Sequence, residues 1–392
     1  MILNPFYITV ILYVTTNLYA AIIGIYNKGM EIEGVFFHIS PSSILISITF
    51  QISILLLFSV LYTFLKRKSS LPTLILKDIW AYSLILLQIF FIFFNIINNV
   101  NIAGSGNTLR TQSITNIFFI FLQPDILYLI IGLHLRSNKL FWLNTIIFII
   151  SMTTRGWMGG IYLVFLITLI RYYPIHISKK KIKLFIFLAI VGIIFLPTII
   201  ELKWAMRSGE SIFNFLGKIN IINNIYSIDK SLDYVANRFQ HIGHVSLFFE
   251  NMDFYYHEFI KSSFIPFWLE GLPQTIFLKL FSYDVTPLSH YAVSVFFNID
   301  SPTWNINTGL VSWIFITQEY SPLILFYLLF FYILPLSLFS QMNCMRLFNL
   351  ISVFSILYLF HGWFSAYFTL LIYISIFLLL VMKSKNIKYT HS

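Results

Sequence analysis

The chain has 392 residues, of which 58% are hydrophobic and only 10% are charged, and its mean hydropathy is +0.82. This composition excludes a soluble globular domain and indicates an integral membrane protein. The single cysteine, Cys344, excludes an intramolecular disulfide framework and a cysteine-rich metal site.

Ten apolar runs follow one another along the chain and predict an all-α integral membrane protein with about ten transmembrane helices. A span needs about 20 apolar residues, so the fifth, sixth and ninth runs are short. No basic residue precedes the first run and no small-residue cleavage pattern follows it, which indicates a retained helix rather than a signal peptide. The predicted spans are about 5–26, 42–65, 78–99, 114–134, 140–152, 157–170, 182–200, 321–341, 347–360 and 363–382.

The charges between these runs predict the topology. Most of the 25 basic residues lie in alternate loops and in the C-terminal tail. The positive-inside rule places these loops and both termini in the cytoplasm, and places one large, partly helical loop outside. Because the net charge of +10 arises at helix ends, it does not indicate a nucleic-acid partner. The predicted domains are 1–200 with helices 1–7, 201–320 as the outer loop, which carries part of the active site, and 321–392 with helices 8–10 and a basic tail.

The segment 139–171 holds the sharpest motif, Thr154-Arg155-Gly156. A single helix here would place two basic loops on opposite faces, so two short helices that meet at residues 154–156 are predicted. At about 1.5 Å per residue the segment cannot cross a ~30 Å hydrocarbon core twice, so we expect Arg155 to be recessed in a funnel open to the outside. A recessed arginine is usually retained for a ligand, and guanidinium matches phosphate oxygens. The alternative is a snorkelling arginine beside an ordinary helix contact through Gly156 and Gly160.

A second motif, in the outer loop, combines Arg238, His241 and His244. Residues 231–249 are predicted to form a helix, and the spacing i, i+3, i+6 places the three side chains broadly on one side of it. A cation beside an imidazole suits phosphate binding with proton transfer, because histidine can act as a base near neutral pH. The alternative is a solvated helix face. No HExxH pattern or third ligand accompanies the histidines, so no metal or other cofactor is expected.

Two further charged residues have open alternatives. Arg207, near Glu210, is a candidate for binding anionic lipid headgroups or for a surface ion pair. Asp125 follows Pro124 within the fourth span and is either a functional acid or the partner of an arginine on a neighbouring helix.

The polar residues before the eighth span are candidates to close the site: His290, Asn305 and Asn307. His361, by contrast, lies between two late spans and is interpreted as a boundary residue. No phosphate-binding loop or dinucleotide motif is present, which makes nucleotide chemistry on the cytoplasmic side an unfavoured interpretation.

With these motifs the chain resembles the Wzy-type O-antigen or oligosaccharide repeat-unit polymerases, which are relatives of the O-antigen ligases. The likeness lies in the multi-span layout, the recessed 154–156 turn, and the large loop with Arg238 and His241. The stretch from Asn307-Thr-Gly309 to Ser321-Pro322, which leads into a long apolar helix, also resembles the family's return from the loop to the membrane. The resemblance covers the whole chain in architecture but only short motifs in sequence.

The resemblance implies an enzyme, a metal-independent glycosyltransferase acting in the periplasm, at the outer face of the bacterial inner membrane. Its donor and acceptor would be oligosaccharide repeat units on undecaprenyl pyrophosphate, joined into lipopolysaccharide or a similar surface polysaccharide. Membrane lipids and a chain-length regulator protein are the further partners expected. Arg155 and Arg238 would hold the pyrophosphate and stabilise the leaving group. His241, or alternatively His244, would be the base.

Three other functions remain open on the residues. A lipid-linked oligosaccharide flippase explains buried charges but does not predict a long loop on one face. A membrane O-acyltransferase should present its histidine and arginine to a cytoplasmic acyl donor. An O-antigen ligase uses the same donor and differs from a polymerase only in its acceptor.

Overall fold

The structure of the protein is a computed structural model that describes residues 2–66, 73–103, 114–176, 178–210, 214–215, 217, 221–281, 283, 285–300, 304–342, 344–383 and 388–390. Helices dominate it. In chain order they are α1 (Pro5–Asn27), α2 (Pro41–Leu65), α3 (Asp78–Asn98), α4 (Ile114–Phe121), α5 (Pro124–His134), α6 (Asn138–Thr154), α7 (Gly159–Arg171), α8 (Lys179–Arg207), α9 (Ile221–Tyr226), α10 (Ile228–Phe239), α11 (Ile242–Glu250), α12 (Met252–Ile260), α13 (Leu272–Leu280), α14 (Leu288–Phe297), α15 (Gly309–Thr317), α16 (Pro322–Leu328), α17 (Leu334–Gln341), α18 (Met345–Phe354) and α19 (Phe364–Lys383).

Short irregular and extended elements join these helices. Turns of π-helix cover Leu329–Ile333 and Ser355–Phe360, and 3₁₀ turns cover Phe267–Leu269 and Gln318–Tyr320. The strands form antiparallel pairs: β1 (Ile2–Leu3) with β5 (Ile175–His176), β2 (Gly29–Ile32) with β3 (Val35–His38), and β4 (Thr73–Ile75) with β6 (Lys388–Thr390).

Six helices in the described part of the chain are long and apolar enough to cross a membrane. They are α1, α2, α3, α8, the continuous stretch Pro322–Gln341, and α19. The pair α4 and α5 is bent by 42° and makes a seventh if it counts as one span. The chain is therefore a mainly helical, multi-pass membrane protein. The other predicted spans coincide with the shorter helices α6, α7 and α18, and their crossing of the membrane stays a prediction.

Two prolines in the apolar helices have opposite consequences. Pro124 opens α5, and the preceding Gln123 is extended at φ −73° and ψ 107°. Proline disfavours helical backbone at the residue before it, so the predicted fourth span is broken at this point. Pro197 instead lies inside α8, which continues to Arg207, beyond the residue at which the outer loop is predicted to begin.

The chain divides into two compact units. The first comprises Met1–Pro5, Ser70–Val235 and Ile376–Ser392. Within it α3 packs against α5 and α6, and α5 also packs against α6 and α7. Buried Arg171 closes the end of α5, donating to the carbonyl oxygens of Gly132 at 2.9 Å and Leu135 at 2.8 Å. Helix ends leave such carbonyls without intrahelical partners, so this arginine has a structural role.

The second unit comprises Phe6–Ser69 and Ala236–Ser375. Its centre is α11, which packs against α2 and α15, and whose residues 242–248 are all buried. The β2–β3 hairpin contributes Ile32 to a hydrophobic cluster that includes Ile242 and Leu247 of α11. The helix that carries His244 is thus a core element of this unit and does not present a solvated face.

Candidate functional site

The break between α6 and α7 lies where the charge pattern predicts it. Arg155 caps α6, and Gly156 follows in the left-handed region at φ +68°. The N–H groups of Trp157 and Gly156 donate back to the carbonyls of Met152 and Thr153 at 2.9 Å each. This pair of bonds is a Schellman ending, which needs a residue that tolerates positive φ. Glycine at 156 is therefore the local cause of the break.

Arg155 is buried within the first unit and folds back onto its own helix. Its Nε donates to the carbonyl of Ser151 at 2.9 Å, and its Nη2 donates to Asp125 Oδ2 at 2.7 Å. The guanidinium also lies over the ring of Phe91, 4.9 Å from its centroid. Asp125, whose alternatives were open, is thus the partner of an arginine on a neighbouring helix. Among described residues nothing bonds to Nη1, so two N–H donors of Arg155 are left for another acceptor.

The end of α8 packs against this break. A Cβ atom on Gly156 would lie 2.8 Å from Cγ of Arg207 and 3.3 Å from the carbonyl oxygen of Lys203. Lys203 is buried, donates to the hydroxyl of Tyr234, and lies over the Trp204 ring at 4.6 Å. The structure therefore places the side chain of Arg207 and the backbone of Lys203 against the glycine that follows Arg155. The sequence signal for Lys203 is a second cation, Arg207, four residues later, with Trp204 between them at the end of an apolar helix.

The close approach of α8 leads to a prediction about Gly156. Gly156→Ala is expected to lower the free energy of unfolding by about 1–2 kcal/mol through the left-handed backbone alone, and by more because the new methyl group meets Arg207. The check is thermal unfolding of purified protein in detergent. Gly192→Ala is the matched control, since no atom lies within 4 Å of a Cβ at this position of α8. Equal melting temperatures for the two variants would contradict the prediction.

The second motif is split by a helix break. The predicted helix over 231–249 is wrong, because α10 ends at Phe239 and α11 begins at Ile242. Asn17 of α1 supplies the physical reason. Its Oδ1 accepts the His241 N–H at 2.8 Å, and its Nδ2 donates to the carbonyl of Phe239 at 3.3 Å. Backbone groups that a continuous helix would pair internally are bound by this side chain instead.

Arg238 is exposed to solvent, whereas the imidazoles beyond the break are buried. The side chain of Arg238 is 47% exposed and pairs with Glu33 at 3.7 Å. His241 is completely buried and His244 is nearly so. Arg238 is therefore a surface cation of the second unit, whereas the two histidines belong to its interior.

His361 joins the two predicted histidines, which the sequence interpretation as a boundary residue missed. Its ring centroid lies 3.6 Å from that of His241, with the ring planes at 82°. Its Nδ1 is bonded to the hydroxyl of Tyr13 at 3.2 Å. Within the described residues, both ring nitrogens of His241 and of His244 and the Nε2 of His361 are buried without a hydrogen-bond partner. Packing alone gives no evident reason for two imidazoles without a hydrogen-bond partner beside a third with one unpaired nitrogen.

Asn307 and His290, which were predicted to close the site, differ in their connection to the histidine cluster. Asn307 Oδ1 accepts from Nε1 of Trp363 at 3.0 Å, and the Trp363 ring lies 4.4 Å from that of His361. His290 lies half-buried on α14, where burial lowers the pKa of its imidazole. None of the ring contacts or side-chain hydrogen bonds among described residues joins His290 to the other three histidines. The structure thus brings Asn307, but not His290, to the histidine cluster.

Burial makes the clustered imidazoles neutral at physiological pH. It lowers the pKa of His241 well below the ordinary value, and the nearby His244 adds to this effect. Burial, with a smaller contribution from the charge of Arg238, lowers the pKa of His244 to about 4. A neutral imidazole has a free lone pair and can accept a proton. At neutral pH these groups therefore carry no charge and do not contribute to holding a phosphate.

The same shifts predict a pH dependence of stability. Because the unfolded chain has an ordinary histidine pKa near 6.5, it binds more protons than the folded state below that pH. Stability is expected to be full above about pH 6.5 and to fall as the pH is lowered towards about 4. Melting temperatures measured across this range should show a shallower decline for His244→Phe, with exposed His257→Phe as the control. A decline of equal slope in His244→Phe and wild type would be evidence against a buried neutral His244.

The Arg155 site and the histidine cluster lie in different units of the structure. Arg155, Asp125 and Arg207 belong to the first unit, and the other predicted site residues belong to the second: Arg238, His241, His244 and His290. In the described residues no three histidine, cysteine or acidic side chains are grouped so that they could hold a metal ion. Comparison of the chain with protein-family models, with curated proteins and with solved structures finds no match in any of the three.

Proposed function

We propose that the chain is a glycosyltransferase of the O-antigen polymerase type, which joins oligosaccharide repeat units carried on undecaprenyl pyrophosphate. One observation carries the proposal: buried Arg155 lies at a break between two short apolar helices and keeps two N–H donors, while the side chain of Arg207 lies against the same break. Asp125 already pairs with Arg155, and the further cations at the end of α8 are Lys203 and Arg207. A pyrophosphate is the anion whose size and charge fit several cations of this kind.

The buried imidazoles supply the second half of the reaction. The hydroxyl oxygen of the acceptor sugar attacks the anomeric carbon of the donor, and the bond from that carbon to the pyrophosphate oxygen breaks. The electron pair leaves with the pyrophosphate, whose charge the cations stabilise. The hydroxyl proton passes to His241, or alternatively to His244. Arg238, which lies at the surface of the second unit, is the further cation proposed to bind pyrophosphate.

The proposed location of the protein is the bacterial inner membrane. The charge distribution favours ten spans in the bacterial inner membrane, with both termini in the cytoplasm and residues 201–320 in the periplasm. Membrane lipids surround the helices, and a chain-length regulator is the protein partner proposed. His290 of α14 is a further residue proposed to bind substrate.

The test is lipopolysaccharide banding from a deletion strain complemented with wild type or with variants. Wild type is expected to restore a ladder of bands, and Arg155→Ala to reduce it to core plus a single repeat. Arg136→Ala replaces an exposed arginine and should leave the ladder unchanged, with membrane levels of each protein checked by immunoblot. Loss of the single-repeat band in the deletion strain would instead assign the chain to the ligase or flippase class.

A further inference from the structure

The backbone around His361 is held in an unusual geometry. A π-helical turn at Ser355–Phe360 leads directly into it, and Gly362 follows at φ +90°. The His361 carbonyl accepts the N–H of Gly309 at 3.1 Å, and Gly309 itself has φ +69°. A Cβ atom on Gly362 would lie 2.5 Å from that same nitrogen. Two glycines and a π turn thus fix one histidine, and such locally costly geometry is concentrated at functional positions.

The side chain of His361 faces His241 edge to face, at 3.6 Å between ring centroids. Tyr13, on α1, holds its Nδ1 and leaves its Nε2 buried without a partner among the described residues. The other charged or titratable groups that act on the pair are His244 of α11 and Arg238 of α10. Two imidazolium charges at this separation would repel each other strongly, so the pair can hold one proton but not two.

We infer that His361 is a positioning residue for His241: it fixes the plane of the His241 ring, and the two imidazoles act as one unit that accepts a single proton. This inference rests on the proposed function, in which His241 takes the proton of the acceptor hydroxyl. His361 stays neutral during that step because a second charge beside the protonated His241 is repelled. Tyr13 orients His361 through the hydroxyl contact.

The first test needs no assay of activity. Full-length protein labelled with ¹⁵N in its imidazoles is titrated by NMR, as wild type and as His241→Phe, which keeps a ring in place. Removing the neighbour is expected to raise the titration midpoint of His361 by about one pH unit. Tyr13→Phe should change the tautomer signals of His361, with Tyr7→Phe, on the same helix, as the matched control. Identical titration of His361 in wild type and His241→Phe would overturn the pairing.

The second test uses the pH profile of polymer formation. His361→Phe is expected to lower the rate by about tenfold or more and to shift the acid limb of the profile. His361→Gln keeps an acceptor for the Tyr13 hydroxyl and should retain more activity, while melting temperatures exclude a folding defect. Loss of activity in His241→Phe with a normal rate and pH profile in His361→Phe would overturn the positioning role. NMR coupling with full activity in both variants would instead reject His241 as the base, in favour of His244.

Discussion

Arg155→Ala is expected to abolish polymer formation and also to destabilise the protein, and a second variant separates these effects. The alanine leaves Asp125 without its partner in a largely buried position, where its side chain is 23% exposed. Breaking a buried ion pair from one side costs about 3–5 kcal/mol, and the partial exposure of Asp125 favours the lower end. The lost guanidinium also removes donors from the proposed pyrophosphate site.

The double variant Asp125→Asn, Arg155→Gln removes both charges and keeps groups that can hydrogen-bond. Its melting temperature is expected to recover most of the loss, because no unpaired charge remains. Polymer formation should stay at least about 100-fold below wild type, because no cation replaces Arg155. A full lipopolysaccharide ladder with this double variant would show that Arg155 is a structural partner of Asp125 and nothing more.

Asn17→Leu is expected to lower the free energy of unfolding by about 2–5 kcal/mol. Asn17 is 1% exposed, and its loss leaves the His241 N–H and the Phe239 carbonyl buried without this partner. Each such group costs about 1–3 kcal/mol. The effect is measured by thermal or chemical unfolding in detergent.

The same substitution should also disturb the geometry of His241. Asn17 is the contact that fixes the break between α10 and α11, so its loss allows the two helices to merge and rotates the His241 ring. The control is Thr15→Ala on the same helix, because Thr15 bonds only to carbonyls of its own turn and is exposed. A melting temperature for Asn17→Leu within error of that control would contradict the assigned role.

The helices and one break were predictable from sequence because their causes are local. Apolar length marks α1, α2, α3 and α8, and the charge pattern around 139–171 places the break at Gly156. The ion pair of Asp125 was one of the two roles that its position within an apolar run allowed. Pairing across helices depends on packing, which periodicity does not report.

The histidine cluster was only partly predictable because its partners are distant in sequence. Asn17 and His241 are 224 positions apart, and Tyr13 and His361 are 348 apart. A pattern of i, i+3, i+6 assumes a continuous helix through residues 238, 241 and 244, and cannot show that a side chain from α1 interrupts that helix. The burial of His361 depends on the π turn and on two glycines in contact, and none of these has a periodic signal.

The π turn before His361 also bears on how related chains should be aligned. A π turn holds one residue more than an α turn, so Ser355–Phe360 contains what amounts to a single-residue insertion. Deleting one residue there would return the turn to α geometry and leave the residues that follow on the same face, because the wider π turn accommodates the extra residue within itself. A homologue whose helix is shorter by one residue here can therefore still direct a histidine towards His241. An alignment of related chains should allow a one-residue gap within 355–360 before a relative is judged to have lost the imidazole pair.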